Sequence, residues 1–285
     1  MIVIQVIVEG LLLGGVYALF SSGLTLIWGM MNFVNFAHGE FVMLGMFAAF
    51  LTMTWVAGGP VLFTIVAAAS LFVLGVVVYF ALIRYVLDGP IIGQILSTFG
   101  LALFLRYAAF FVFSANFVTL PDTYLSGTEN VLGIYVSIPK LVGGVVGVLL
   151  TIGLHLLLTR TAVGSRILAV AENRDAAMLM GIRPDRMQAL AWGLSAALTG
   201  VAGAMIAMYY PISYGVGESL ALIAFVVVSL GGFGSVPGAL LAGILIGVIE
   251  SLSAYYFGPA FKDVVVYALF VAILWVRPQG LLGTA

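Results

Sequence analysis

The chain has 285 residues, 64% hydrophobic and 7% charged, where an ordinary soluble domain carries about 25% charged side chains, so one soluble core cannot hide its apolar surface. A formal charge of −1 leaves no basic face for nucleic acid. No cysteine is present and the histidines are two, His38 and His155, which excludes disulfides, thiol chemistry and thiolate metal sites and leaves too few ligands for a zinc enzyme.

A membrane-crossing helix needs about 20 mostly apolar residues. Taken in chain order, runs of this kind are expected near 2–28, 41–56, 61–83, 94–113, 141–158, 187–209, 219–230, 238–257 and 264–276. The first ten residues lack the positive region of a cleaved signal, so the first run is read as a retained span. Several runs are short or interrupted. The expectation is an all-α polytopic integral membrane protein of about eight to ten segments, some interrupted or re-entrant, forming one transmembrane domain over 1–285 with membrane lipid as its solvent.

Loops that stay in the cytoplasm are enriched in Lys and Arg. Arg160, Arg166, Arg174, Arg183 and Arg186, half of the ten cationic residues, fall in the loop 160–186, which is therefore expected inside. Alternation then places 84–93 and the tail after Arg277 inside, and 116–140 and 258–263 outside. The N-terminus falls outside if 31–40 is a true loop. Pro121, Gly127, Gly133 and Pro139 with Asp122 and Glu129 make 116–140 turn-rich, either a face for an external partner or a solvated connector. Small residues at helical spacing, Ala196, Gly200 and Ala204 or Ala239, Gly243 and Gly247, predict closely packed helices.

The loop 160–186 also has the makings of structure. Asn173 can cap a helix, Asp175 sits in its first turn where a carboxylate favours the positive dipole end, and Gly181 with Pro184 supplies a stop. A helix of about two turns results, with Ala176, Leu179 and Met180 recurring on one face. After Glu172, the spacing Asp175-Ala176-Ala177, three residues, Gly181 resembles the EAA coupling motif of ABC-importer permeases, with Asp in place of Glu. The alternative is a plain amphipathic linker.

Further stretches carry a closer likeness: Gly23-Leu-Thr-Leu-Ile-Trp-Gly29, Asn32-Phe-Val-Asn35-Phe-Ala-His38-Gly39-Glu40, Gly231-Gly-Phe-Gly-Ser-Val-Pro237-Gly238 and Arg277-Pro-Gln-Gly280. With the order of the elements they resemble branched-chain amino acid permeases of the LivH type, from about Gly10 to Gly283. The resemblance implies a multi-pass subunit in a bacterial inner membrane. Its implied partners are a second homologous permease or a second copy, two cytoplasmic ATPase subunits holding ATP and magnesium, and a periplasmic binding protein. In that family the coupling helix fits a groove on the ATPase and moves the membrane helices. Some related permeases are associated with urea or short amides.

Consistent with that division of labour, the chain has no G-x-x-x-x-G-K-[ST], and neither Lys140 nor Lys262 follows a glycine, so no cofactor site and no ATPase activity are expected on it. Gly232-Phe-Gly234-Ser-Val-Pro237 half-resembles a dinucleotide fingerprint, but Pro237 replaces the third glycine and no strand precedes it, which reads as a tight turn.

Polar groups between apolar runs need protein or water around them. Asn32, Asn35, His38 and Glu40 are such groups, and Gly232 and Gly234 mark a second interruption in the later half. Paired interruptions of this kind often line a transport path, although both read equally well as turns at the membrane surface. Arg106 falls midway along a span and is expected either to pair with Glu9, Glu218 or Glu250 or to hold the charged end of an amino acid. His155 reads as structural or interfacial, and Phe110, Phe111, Phe113, Phe117, Tyr209 and Tyr210 as interfacial anchors. An ion-coupled secondary transporter is the competing class. A membrane enzyme lacks any convergent nucleophile, base or metal set.

Overall fold

A computed structural model describes residues 2–56, 58–121, 123–131, 133–276 and 279–283. Asp122, Arg277 and Pro278, which figure in the sequence reading, lie outside the described residues. Helix α1 (Ile2–Met31) leads through an irregular stretch, 32–37, into α2 (His38–Val56), α3 (Pro60–Val78), a π-helical turn (Tyr79–Ile83) and the short α4 (Arg84–Val86). Next come α5 (Ile91–Phe113) and an antiparallel hairpin of β1 (Thr128–Val131) and β2 (Ile134–Ser137), with Thr128 opposite Ser137. The remainder is helical: α6 (Ile138–Arg160), α7 (Ala162–Glu172), α8 (Arg174–Leu179), α9 (Pro184–Ala207), α10 (Val216–Gly231), α11 (Val236–Phe257) and, after a 3-10 turn (Pro259–Phe261), α12 (Lys262–Val276). Prolines open several of them, at Pro60, Pro139, Pro184 and Pro237, where a missing N–H goes unneeded.

Among the described residues eight helices are long and apolar enough to cross a membrane, within the expected eight to ten. The chain is an all-α polytopic membrane protein. α10, at 16 residues, reaches about 24 Å at 1.5 Å per residue, short of a hydrocarbon layer of about 30 Å, so it begins inside the bundle.

The bundle has a hairpin end and a basic end. At the hairpin end Lys140 at the start of α6 pairs with Glu9 of α1 at 3.1 Å, and Val118 bridges Ile212. At the basic end Arg174 pairs with Asp88 at 3.0 Å, and the tail returns so that Leu281 N–H donates to the Leu230 carbonyl at 2.7 Å. Segments 84–90, 160–186 and 279–283 therefore share one end, the grouping that the loop charges give.

In lipid, apolar burial provides little drive for helix pairing, and small residues let backbones approach. A Cβ on Gly14 would come within 2.6 Å of Ile244 Cα, and one on Gly243 within 2.6 Å of Ala18 N, so α1 lies directly on α11. Gly200 of α9 meets the Ala67 carbonyl of α3 in the same way. The buried core gathers Phe20, Met43, Met46, Phe63 and Met205 around these seams, with Trp192 and Tyr79 in a second cluster beside it.

Three expectations change. Helix α2 starts at His38, so His38 and Glu40 belong to its first turn and not to a connecting loop. The segment 116–140 holds a hairpin, and two helices, α7 and α8, stand where one was expected. The stretch 32–40 divides between two places: Asn32 lies beside 231–238, whereas Gly39 packs against the Gly217 carbonyl in the first turn of α10 with no room for a Cβ.

Candidate functional site

At the basic end Thr161 opens α7 by accepting from Gly164 N–H at 3.0 Å, and Asn173 opens α8 by accepting from Ala176 N–H at 2.9 Å. Asp175 lies in the first turn of α8. Gly181, at φ 76°, ends it: Gly181 N–H donates to the Met178 carbonyl at 2.9 Å and Ile182 N–H to the Ala177 carbonyl at 3.0 Å, the paired bonds of a Schellman cap. Ala177 is buried in the cluster with Leu154, Leu158, Ile167 and Val170, which seats the helix. The opposite face is bare. Ala176 is exposed, Leu179 is 89% exposed and Met180 81%, and Glu172 is exposed at the end of α7.

Arg174 ties this helix to two others, through Asp88 before α5 at 3.0 Å and Asp185 in the first turn of α9 at 3.3 Å. Nothing in the local sequence pattern marks that node, since Asp88 lies 86 residues away.

The second candidate lies within the membrane. After Met31 the chain turns at Asn32, which has φ 51°, and runs back along the bundle. Asn35 Oδ1 accepts from Ala37 N–H at 3.0 Å, and His38 Nε2 donates to the Phe20 carbonyl at 2.7 Å. A carbonyl only accepts, so Nε2 carries the proton. Phe20 is about 16 Å along α1 from its Met31 end, so α2 begins well inside the helical bundle. Asn35 and His38 are buried and hold this re-entrant stretch.

There Arg106 of α5 joins two helix starts. Its Nε and Nη2 donate to Glu40 Oε1 at 3.0 and 2.6 Å, and its Nη1 to Glu218 Oε2 at 2.8 Å. Both carboxylates sit in the first turn of their helices, where the dipole favours negative charge. Of the three carboxylates weighed for Arg106, Glu218 is a partner. Glu9 pairs with Lys140, and Glu250 takes Lys262 and the Tyr17 hydroxyl.

Asn32, Gly232 and Gly234 do not join this cluster. Asn32 and Gly234 line a cavity of about 570 Å³ at the basic end with Trp28, His155 and Ser235. Gly232, at φ 98°, leaves no room for a side chain beside Gly283 of the returning tail. The stretch 231–238 is the tight turn between α10 and α11, closed by Ser235 N–H to the Gly232 carbonyl at 3.1 Å.

Residues 6–274 match the family described as branched-chain amino acid transport system / permease component. The chain is similar to the high-affinity branched-chain amino acid transport system permease protein BraD of Pseudomonas aeruginosa, 33% identical over 293 residues that cover 98% of this chain and 95% of BraD. The corresponding permease protein LivH of Escherichia coli (strain K12) is 30% identical over 295 residues, again 98% and 95% of the two chains. LivM of the same organism, also named as a permease protein of that system, is 33% identical over 129 residues, 44% of this chain and 29% of LivM. No solved structure gives a significant match. With a family match over nearly its whole length and full-length relatives at this identity, the chain belongs to the branched-chain amino acid transport permease family.

Proposed function

We propose that the chain is the membrane-spanning permease subunit of an ATP-driven ABC importer for branched-chain or other hydrophobic amino acids, working by alternating access in a bacterial inner membrane. A periplasmic binding protein delivers substrate at the hairpin end. A second permease, homologous or identical, completes the pathway, and two ATPase subunits at the basic end hold ATP and magnesium. No covalent chemistry takes place on this chain.

The observation that carries this reading is the form of α8. A capped helix is seated by Ala177 while Leu179 and Met180 are turned away from the rest of the chain. Apolar side chains at the tip of a polar loop are an exposed patch that a protein partner would cover. Arg174 then links the helix to α5 and α9, so a push on α8 reaches membrane-spanning elements.

The test replaces Leu179 and Met180 by Asp, singly and together, in the chain co-expressed with its candidate ATPase subunits. The variants are expected to insert and fold as the wild type does and to lose ATPase association and ATP-dependent leucine uptake. Unchanged association and uptake in the double variant would sink the assignment of α8, and uptake driven by an ion gradient without ATP would overturn the importer reading as a whole.

A further inference from the structure

We infer that the Glu40–Arg106–Glu218 cluster is a binding site for a zwitterionic amino acid in transit, with the ammonium on Glu218, the carboxylate on Arg106 and the side chain against neighbouring aromatic and aliphatic groups. It rests on the importer reading and names the substrate chemistry and the place.

The cluster lines a cavity of about 230 Å³. Its remaining wall is apolar, with Phe36, Phe99, Leu222 and Phe225 prominent. That volume is below the roughly 300–1,000 Å³ of pockets for drug-sized ligands and suits one small molecule. The polar equipment is incomplete as it stands. One guanidinium faces two carboxylates, so with all three ionised the cluster carries one net negative charge. Glu40 is 2% exposed and its Oε2 has no hydrogen-bond partner among the described residues, while Glu218 is 66% exposed and bonds Arg106 through one oxygen. An ammonium is the group that a second, open carboxylate oxygen on a net negative cluster attracts.

Arg106 has donors to spare. A guanidinium carries five N–H groups. Three serve Glu40 and Glu218, leaving one on each terminal nitrogen, which a carboxylate can bridge. An amino acid places its ammonium and carboxylate on one carbon, and the cluster places a free acceptor and two free donors on adjacent residues, beside an apolar wall.

The location also calls for an occupant. Ionisable side chains at this depth face a protein interior or a water-filled path, since hydrocarbon offers them no partner. Glu218 and Arg106 instead look onto the outer side of α5 and α10, between Phe99 and Leu222. The exposed rim at Phe99 and Leu222 leaves the cavity open to a solute, which there meets both groups. Arg106 joins the first turns of two interrupted helices, so an amino acid that takes over one of its contacts changes the tie between them.

The chain has no cysteine, which permits a direct test in the assembled transporter. Leu222→Cys, on the exposed rim of the cavity, is labelled with a membrane-permeant maleimide. At ten times its dissociation constant L-leucine leaves about a tenth of the sites open and slows labelling about tenfold. Leucinol, which keeps the ammonium, protects more weakly, and 4-methylpentanoate, which lacks it, leaves the rate unchanged. Glu218→Gln in the same chain removes the protection by leucine. Phe99→Cys gives the same order of ligands and covers the case in which Leu222→Cys does not assemble. Equal rates with and without leucine at both positions, or equal protection by 4-methylpentanoate, would overturn the site. Labelling needs no ATP, so it decides the site separately from the importer reading, which ATP-dependent uptake by the wild-type assembly decides.

Discussion

Arg106 serves two carboxylates that are not equivalent. Glu40 is buried with its charge shut away from water, while most of the Glu218 side chain is open. Removing one partner of a buried pair strands the other, which costs about 3–5 kcal/mol, whereas an exposed pair contributes about 0–1 kcal/mol. Arg106→Leu is therefore expected to lower stability by about 3–5 kcal/mol. Glu40→Gln made in that background should return much of the loss, because the stranded charge goes with it. Unfolding of the four chains in detergent measures the coupling. If the two changes simply add, Glu40 does not depend on Arg106 and the pair described above is not a unit.

Helix α8 is the element on which local chemistry acts most plainly. Its six residues are too few to hold together by propensity alone, so the Asn173 cap and the Gly181 stop carry much of its definition. Asn173→Ala removes an acceptor whose loss costs about 1 kcal/mol. Amides from Ala176 to Gly181 should then exchange about fivefold faster, read by hydrogen-exchange mass spectrometry, while the bundle helices keep their rates. Unaltered exchange in α8 would show that packing of Ala177, and not the cap, holds the helix. This helix was legible in the sequence because cap, first-turn carboxylate and stop glycine all act within a few residues. The spans were legible for a similar reason, since lipid demands long apolar runs. The partners of Arg106 were legible in part: Glu218 was one of three carboxylates weighed for it, whereas Glu40 was not, and at 112 and 66 residues away neither leaves a local pattern that would single it out. The break between α9 and α10 was legible as the gap between the runs 187–209 and 219–230, but its packing against Gly39 was not, because that contact joins residues far apart in the chain and the Gly and Pro of 231–238 drew attention to what is an ordinary turn between α10 and α11.

Across the whole molecule, α5 is the helix best placed to carry movement from the basic end into the membrane. Of its 23 residues, Thr98, Ala102, Leu105 and Ala109 are the buried ones, so it is lightly held along its length. Its two ends are fastened differently. Arg174 of α8 grips Asp88 just before it, and Arg106 far along it grips Glu40 and Glu218. A π-helical turn, Tyr79–Ile83, precedes it, a distortion of the kind that frequently marks functional positions in helices. A displacement of α8 by an ATPase would thus be passed through Arg174 and α5 to the ends of two interrupted helices. The pairs at Arg174 are largely exposed, so Arg174→Ala should change stability by no more than about 1 kcal/mol. In the proposed importer it should nevertheless lower the leucine taken up per ATP hydrolysed, with ATPase subunits still bound. Asp88→Ala should have the same effect, and the double variant should be no worse than either alone, because both remove one link. Uptake and ATP hydrolysis measured together in proteoliposomes give the ratio. A normal ratio in Asp88→Ala would leave Asp185 and α9 as the route, and a normal ratio in Arg174→Ala would remove this node from the transmission altogether.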